Sequence, residues 1–350
     1  MAVVGAGALI GQRSYISVGQ ETTWGTGVTC TSSFDFLSCS IKTTQEAKVI
    51  EQISKIRNHS QSISLTKKVE GDLEFYYQPD VTGLSYLLKN AFGGLSVTSA
   101  TATGETIGGS AMTHTFAIGN FDATRSSLSI NNRKGQATDG KVYEYNGVRV
   151  NEFTFSAEIE DALKCSCSII AKDSTVTTND ISSALTITAS EVLSFVNGRF
   201  SVENTFASLT SATFWHVQNM EFKMMNNLNS DNDARRIGSQ VLQSLHAGMQ
   251  GYELSCSIRF DTTTAYDAML SHENLAAEFE FLGSTYTGSA CRRGIKIRFP
   301  KVRISEASEP EISGPADLLK SDVTFVVLRD DSSATGYAVK ALVTNNALTI

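Results

Sequence analysis

The sequence predicts a mainly β protein built as two tandem copies, each closing on one short helix. Three observations carry this. Alternating apolar and polar residues recur in short runs along the 350 residues. Two stretches repeat one order of elements at one spacing. Charged residues make up only 19% and hydrophobic residues 41%, which suits a folded chain with a sizeable core.

The first copy opens with an alternating strand at Cys39-Ser40-Ile41-Lys42. After a charged excursion a second strand reads Leu73-Glu74-Phe75-Tyr76-Tyr77. Gln78-Pro79-Asp80 stops it, and Thr82 to Leu88 has helical character. The second copy opens at Met220-Glu221-Phe222-Lys223 and returns as Leu254-Ser255-Cys256-Ser257-Ile258. It stops at Phe260-Asp261 and closes with a helix from Thr263 to Leu270. Ile41 to Phe222 and Leu73 to Leu254 are each 181 positions apart. The expected division is an N-terminal arm over 1–31, a first domain over 32–180 and a second over 181–350.

The arm is Gly-rich and reads as an extended segment packed on something else. Its Gly5-Ala6-Gly7-Ala8-Leu9-Ile10-Gly11 mimics a dinucleotide fingerprint. The full strand before it and the helix after it are missing, so no nucleotide site is expected. Between the strands of the first copy, Thr43 to Lys68 reads as a projecting hairpin or a helical turn, with Glu51, Lys55 and Arg57 near its tip. Val148-Arg149-Val150-Asn151-Glu152 matches Val302-Arg303-Ile304-Ser305-Glu306 at a spacing of 154. The shortfall of 27 against 181 equals the length of the Gly-, Ser- and Thr-rich run 93–119, read as a mobile surface insertion. Phe153, Phe155, Ala157 and Ile159 alternate with polar residues as a strand with one wet face. Leu163 to Ala171 is its partner, and Lys172 to Ser190 a polar linker. Val323 to Leu328 is the most apolar strand, and Tyr337 to Leu342 runs back from it.

The formal net charge is −7, and Lys and Arg never run beyond two in a row. A sequence-reading nucleic-acid binder would show a basic face, so any DNA is passed rather than gripped. Cys30, Cys39, Cys165, Cys167, Cys256 and Cys291 are too sparse for a disulfide scaffold and sit mostly in strand alternation, as reduced core thiols. The apolar stretch Ala2 to Ile10 has no cationic leader, so no signal peptide is expected, and no run approaches a membrane span of ~18 residues. The five histidines are scattered without ligand spacing, and Glu158 and Glu160 read as a solvated strand face. No catalytic residue, cofactor or metal is expected, and the protein is not expected to be an enzyme.

Each copy presents one apolar and one polar strand face. Leu73, Phe75, Tyr77, Leu254, Cys256 and Ile258 face in. Lys42, Glu74, Glu221, Lys223 and Arg259 face out. Free strand edges are an aggregation hazard unless neighbours pair with them. Closing several chains into a barrel removes the edges, and the polar face then lines a channel.

Val18-Gly19-Gln20-Glu21-Thr22-Thr23-Trp24-Gly25, with Phe299-Pro300-Lys301-Val302, Ser313-Gly314-Pro315, Val323-Thr324-Phe325 and Leu342-Val343-Thr344-Asn345, resembles the tail tube (major tail) proteins of long-tailed, non-contractile bacteriophages. The likeness covers most of the chain outside 93–119 and rests on several weak motifs in order. It implies two tandem tail-tube-type β-sandwich domains, each with a flanking α-helix, forming a multi-chain β-barrel channel. The implied role is a structural virion protein that polymerises into the tail tube and conducts DNA into the host. Six single-domain slots filled by two-domain chains imply stacked trimeric, pseudo-hexameric rings. The implied partners are other copies, a tape measure protein, tail terminator and tip proteins, and passing DNA without specific binding or membrane insertion. Assembly would occur in the host cytoplasm. The polar set above is then lumen-facing, Glu21, Trp24 and Gly25 belong to an inter-subunit arm, and Glu51, Lys55 and Arg57 to an inter-ring hairpin. A β-sandwich adhesin or capsid decoration module is the competing reading.

Overall fold

A computed structural model describes residues 11, 14–52, 58–59, 61–99, 101–102, 105–106, 112–118, 127–135, 141–178, 185, 190–211, 214–286, 291–310, 312, 318–331 and 336–345. Its strands begin with β1 (Tyr15–Gln20), β2 (Ser32–Phe34), β3 (Ser38–Cys39), β4 (Lys42–Val49) and β5 (Ser62–Tyr76), which precede α1 (Thr82–Phe92). Then come β6 (Gly93–Ser99), β7 (Thr101–Ala102), β8 (Glu105–Thr106), β9 (Met112–Ile118), β10 (Leu128–Lys134), β11 (Lys141–Glu158), β12 (Lys164–Ala171) and β13 (Asp173–Thr177). β14 (Gly198–Glu203), β15 (Val217–Met225), β16 (Leu228–Asn229), β17 (His246–Ala247) and β18 (Gly251–Arg259) lead to α2 (Thr264–Ser271). β19 (Leu275–Thr285), β20 (Arg292–Ala307), β21 (Lys320–Leu328) and β22 (Lys340–Asn345) follow. Mainly β is therefore the observed class, and its large sheets are antiparallel.

The strands pair in the same order twice. β3 and β4 flank β5, β5 pairs β12, and β12 pairs the later part of β11. The early part of β11 pairs β10 and β13, and β10 pairs β1. Further along, β15 pairs β18, β18 pairs β21, and β21 pairs the later part of β20. The early part of β20 pairs β19 and β22, and β19 pairs β14. Irregularities recur at matching places. The register jumps at Asn151, between Val150↔Ile169 and Glu152↔Ser168, and again at Ser305, between Ile304↔Phe325 and Glu306↔Thr324. Ser305 follows Asn151 by 154 positions, the spacing of the matched Val148 and Val302. A bulge bends its strand, which suits one long strand serving two sets of partners.

The expected spacing of 181 needs one correction. Leu73 sits between Cys39 and Cys167, and the residue in the matching place is Cys256, between Met220 and Val323. Cys39 to Met220 is 181 positions, but Leu73 to Cys256 is 183. A slip of two leaves every side chain on its face, so alternation alone could not expose it.

The two sets of strands join where β11 pairs β15, from Glu152↔Met225 to Glu158↔Asn219. The order β5, β12, β11, β15, β18, β21 is therefore one uninterrupted antiparallel sheet. Its apolar face holds Leu73, Phe75, Cys165, Phe153, Phe222 and Leu254, all essentially inaccessible to solvent. Rings link across it: Phe75 to Phe153 at 6.2 Å, Phe153 to Phe155 at 4.9 Å, Phe155 to Phe222 at 6.3 Å and Phe222 to Phe299 at 4.9 Å. Such pairs add about 0.5–1.5 kcal/mol each beyond burial. α1 stops at Gly93, whose φ of 87° lets its N–H reach Lys89 O, and α2 stops at His272 with φ 52°.

Three local expectations change and one is narrowed. The arm contains a true strand, β1, between β2 and β10. The run 93–119 is not a free loop in its described part: β6 pairs β9, β9 pairs β22, and Phe116 is fully buried. The presumed linker begins with β13 on the edge of β11. Of the two readings of Thr43 to Lys68 the hairpin holds: β4 and β5 pair as its arms, and β4 is exposed along its length. The Gly-rich fingerprint before Gly11 lies outside the described residues.

Candidate functional site, a polar sheet face

Residues paired across strands share a face of the sheet. One row reads Tyr76, Lys164, Ser156, Glu221, Ser255, Thr324 and Glu306, crossing from β5 to β20 without a break. The adjacent row reads Glu74, Ser166, Thr154, Lys223 and Glu253. Lys42 joins this face opposite Glu70, and Arg259 joins it two residues beyond Ser257. Lys42, Glu74, Glu221, Lys223 and Arg259 are thus gathered on one surface, although the sequence spreads them over more than 200 positions.

That surface carries acids and cations interspersed in near balance. Glu70, Asp72, Glu74, Glu152, Glu158, Glu221, Glu253, Glu306 and Asp322 stand with Lys42, Lys68, Lys164, Lys223, Arg259, Lys301, Arg303 and Lys320. Lys223 Nζ reaches Glu152 Oε2 at 2.9 Å, and this bond holds the ammonium above its ordinary pKa. Lys164 Nζ lies 3.4 Å from Glu74. Arg259 clasps Asp261 through Nε and Nη2 at 2.7 and 2.9 Å, with His216 Nδ1 at 3.0 Å. The Arg259 bonds come first in holding the Asp261 carboxyl below its usual range. Solvent screens exposed pairs of this kind, so the charges shape a surface more than they hold the fold. Glu160 is not on it: the strand ends at Glu158, and Glu160 adopts φ 70° in a turn.

Glu21, Trp24 and Gly25 sit elsewhere. The Glu21 carboxylate is buried and accepts from Gly25 N and Gly147 N, both at 2.8 Å, and from the hydroxyls of Ser127 and Ser129. Trp24 Nε1 donates to Gly147 O at 3.1 Å, and Lys172 Nζ lies 4.6 Å from the centre of the indole. Only a glycine fits at 147, where φ is 68° and a Cβ would come 2.7 Å from Lys172 Cβ. The Val18–Gly25 segment is therefore stapled to its own chain. Glu51 is exposed beyond the end of β4, while Lys55 and Arg57 lie outside the described residues.

Sequence reading missed the polar side chains at the junction of the two strand sets. Asn226 N donates to Asn151 O at 2.7 Å, and its amide reaches Ala91 O and Val150 O. Asn151 Oδ1 accepts from Leu228 N at 2.9 Å, so the bulged residue serves the junction twice. Asp80 accepts from Arg293 at 3.0 Å and from the Tyr286 hydroxyl. Asn151 lies inside a matched motif and Asp80 inside the stop after the Leu73–Tyr77 strand, but nothing local marks Asn226 or the long-range partners of Asp80.

Cys30, Cys165, Cys167, Cys256 and Cys291 are buried and Cys39 half-buried. Burial pushes the Cys30 and Cys256 thiols up to about 12. Among the described residues no three His, Cys, Asp or Glu side chains are grouped to hold a metal ion, and no helix is long and apolar enough to cross a membrane.

A sheet that crosses two sets of strands and presents a wet, charged face is an architectural surface, not a pocket. The family model for phage tail tube protein matches residues 11–327. The chain belongs to the phage tail tube protein family. As a tail tube protein it is a structural component of the virion tail that polymerises with its own kind. Among curated proteins none matches the chain.

Proposed function

We propose that the chain carries two tube domains in tandem, over about 32–180 and 181–350, after an arm over 1–31. Three copies close a ring of six such domains, and stacked rings form the conduit for DNA ejection. The observation that supports this most is the polar row from Tyr76 to Glu306, which crosses the β11–β15 junction unbroken. The repeated strand order and the matching bulges at Asn151 and Ser305 favour duplication.

In this reading Lys42, Glu74, Glu221, Lys223 and Arg259 face the lumen. Cations there stand against carboxylates, as Lys223 does on Glu152 and Lys164 on Glu74, so phosphates find few counterion-releasing contacts and the genome slides without binding. The β4–β5 hairpin and the N-terminal arm meet neighbouring copies, a tape measure protein sets the length, and terminator and tip proteins close the ends. Assembly takes place in the host cytoplasm.

Electron microscopy of the purified protein tests this. Three-copy rings with six similar lobes, stacking into hollow tubes, are expected. Discrete monomers at every concentration would overturn it. Replacing Glu221 and Glu253 by lysine should leave tubes intact and slow DNA release from particles; unchanged release would remove the lumen assignment.

A further inference from the structure

The β11–β15 junction inside one chain has a vacant counterpart at its two ends. Glu306 and Ala307 in the later part of β20, just past the bulge at Ser305, pair β21 on one side. Among the described residues no strand takes the other side. There Ala307 N donates only to the Met269 sulfur, at 3.2 Å, a weak acceptor for an edge amide. β4 likewise pairs β5 on one side only. Ser40 N bonds Asp72 O, so within β4 the N–H groups of Thr43 and Gln45 point to the open side.

We propose that these two edges join a pair of copies, and that the junction within the chain gives the register. This rests on the tube reading above. On one side of the junction the matching residue lies 154 positions on, as Asn151 and Ser305 show. On the other it lies 181 positions back, as Met220 and Cys39 show. Phe153↔Met224 then becomes Ala307↔Thr43, and Glu152↔Met225 becomes Glu306↔Thr44. Both Ala307 and Thr43 turn their N–H to the open side, as a hydrogen-bonded antiparallel pair requires.

The side chains agree with this register. The ion pair across the junction, Lys223 to Glu152 at 2.9 Å, maps onto Lys42 and Glu306. Both residue types are kept and both side chains are exposed. Asn151 O, which accepts from Asn226 N at 2.7 Å, maps onto Ser305 O facing Gln45 N. The partner is a second copy, held by three or four backbone bonds and one Lys–Glu pair. Because the two edges differ, the contact is head-to-tail and propagates until it closes.

The test uses the full chain. Thr43→Cys with Ala307→Cys should give, on oxidation, covalent dimers and then a ladder that stops at the closed ring, with neither single variant cross-linking. Lys42→Glu or Glu306→Lys alone should raise the concentration at which rings appear by roughly tenfold, and the double exchange should restore it. Rings that form normally in all three charge variants, with no cross-link at 43 and 307, overturn the register and leave the tube reading standing. Wild-type chains that never form rings overturn both. Thr43→Pro, which removes an edge N–H that β5 does not use, should keep the monomer's circular dichroism and abolish rings; intact rings count against the pairing.

Discussion

Phe155 and Phe222 stand opposite one another across the β11–β15 junction, their rings stacked 6.3 Å apart at 12°. They come from strands 67 positions apart in sequence and are both buried. Replacing either by alanine should cost about 3–5 kcal/mol, and the double variant should cost less than the sum, because the pair shares one packing environment. Urea unfolding of the three variants reads this; strict additivity would show that the rings do not couple.

Glu21 is a buried carboxylate with four donors aimed at it. Glu21→Ala strands the N–H groups of Gly25 and Gly147 and should destabilise the chain by about 2–4 kcal/mol. Hydrogen exchange should show the segment from Val18 to Cys30 losing protection first.

Gly71 lies in β5 where the preceding strand crosses it, at φ 155°, and a Cβ there would sit 2.5 Å from Ile41 Cα. Backbone cannot swing aside as a side chain can. Gly71→Ala should therefore lower stability by roughly 2 kcal/mol or more, with a fall in thermal midpoint and no change of far-ultraviolet spectrum.

Burial raises the Cys30 and Cys256 thiols to about 12 from an unfolded value near 9.0. A raised folded value means their contribution is complete below pH 9.0 and is lost as pH climbs toward 12. Guanidinium midpoints should fall across that window. At pH near 8 an aromatic disulfide reagent should leave Cys30, Cys165, Cys167 and Cys256 unmodified until the chain is unfolded.

Glu191 accepts from Ser284 N and Oγ at 2.8 and 2.6 Å and lies 3.7 Å from Arg293, which in turn bonds Asp80. The Ser284 bonds, then Arg293, hold its carboxyl below the ordinary 4.5. A depressed value stabilises above that pH and is lost as pH falls through the folded pKa. Acid titration of stability should be flatter below about pH 4.5 in Glu191→Gln than in the parent; equal slopes would exclude Glu191 as a contributor.

The mainly β class, the alternation and the strands that cross the central sheet were legible in the order of residues, while others such as β1, β10 and β19 were not. Two-residue periodicity records which side of a sheet is wet, so Leu73, Phe75, Leu254 and Cys256 were readable as core and Glu74, Glu221 and Lys223 as surface. It also showed that two stretches shared an order. Which edges meet emerged with the fold in three dimensions. It paired Leu73 with Cys39 and Cys167 and Cys256 with Met220 and Val323, set β6 on β9 and β9 on β22, and buried Glu21 against its own chain. Pairing joins residues far apart in sequence, and a two-residue slip costs the local pattern nothing, so no stretch read alone distinguishes one edge from another.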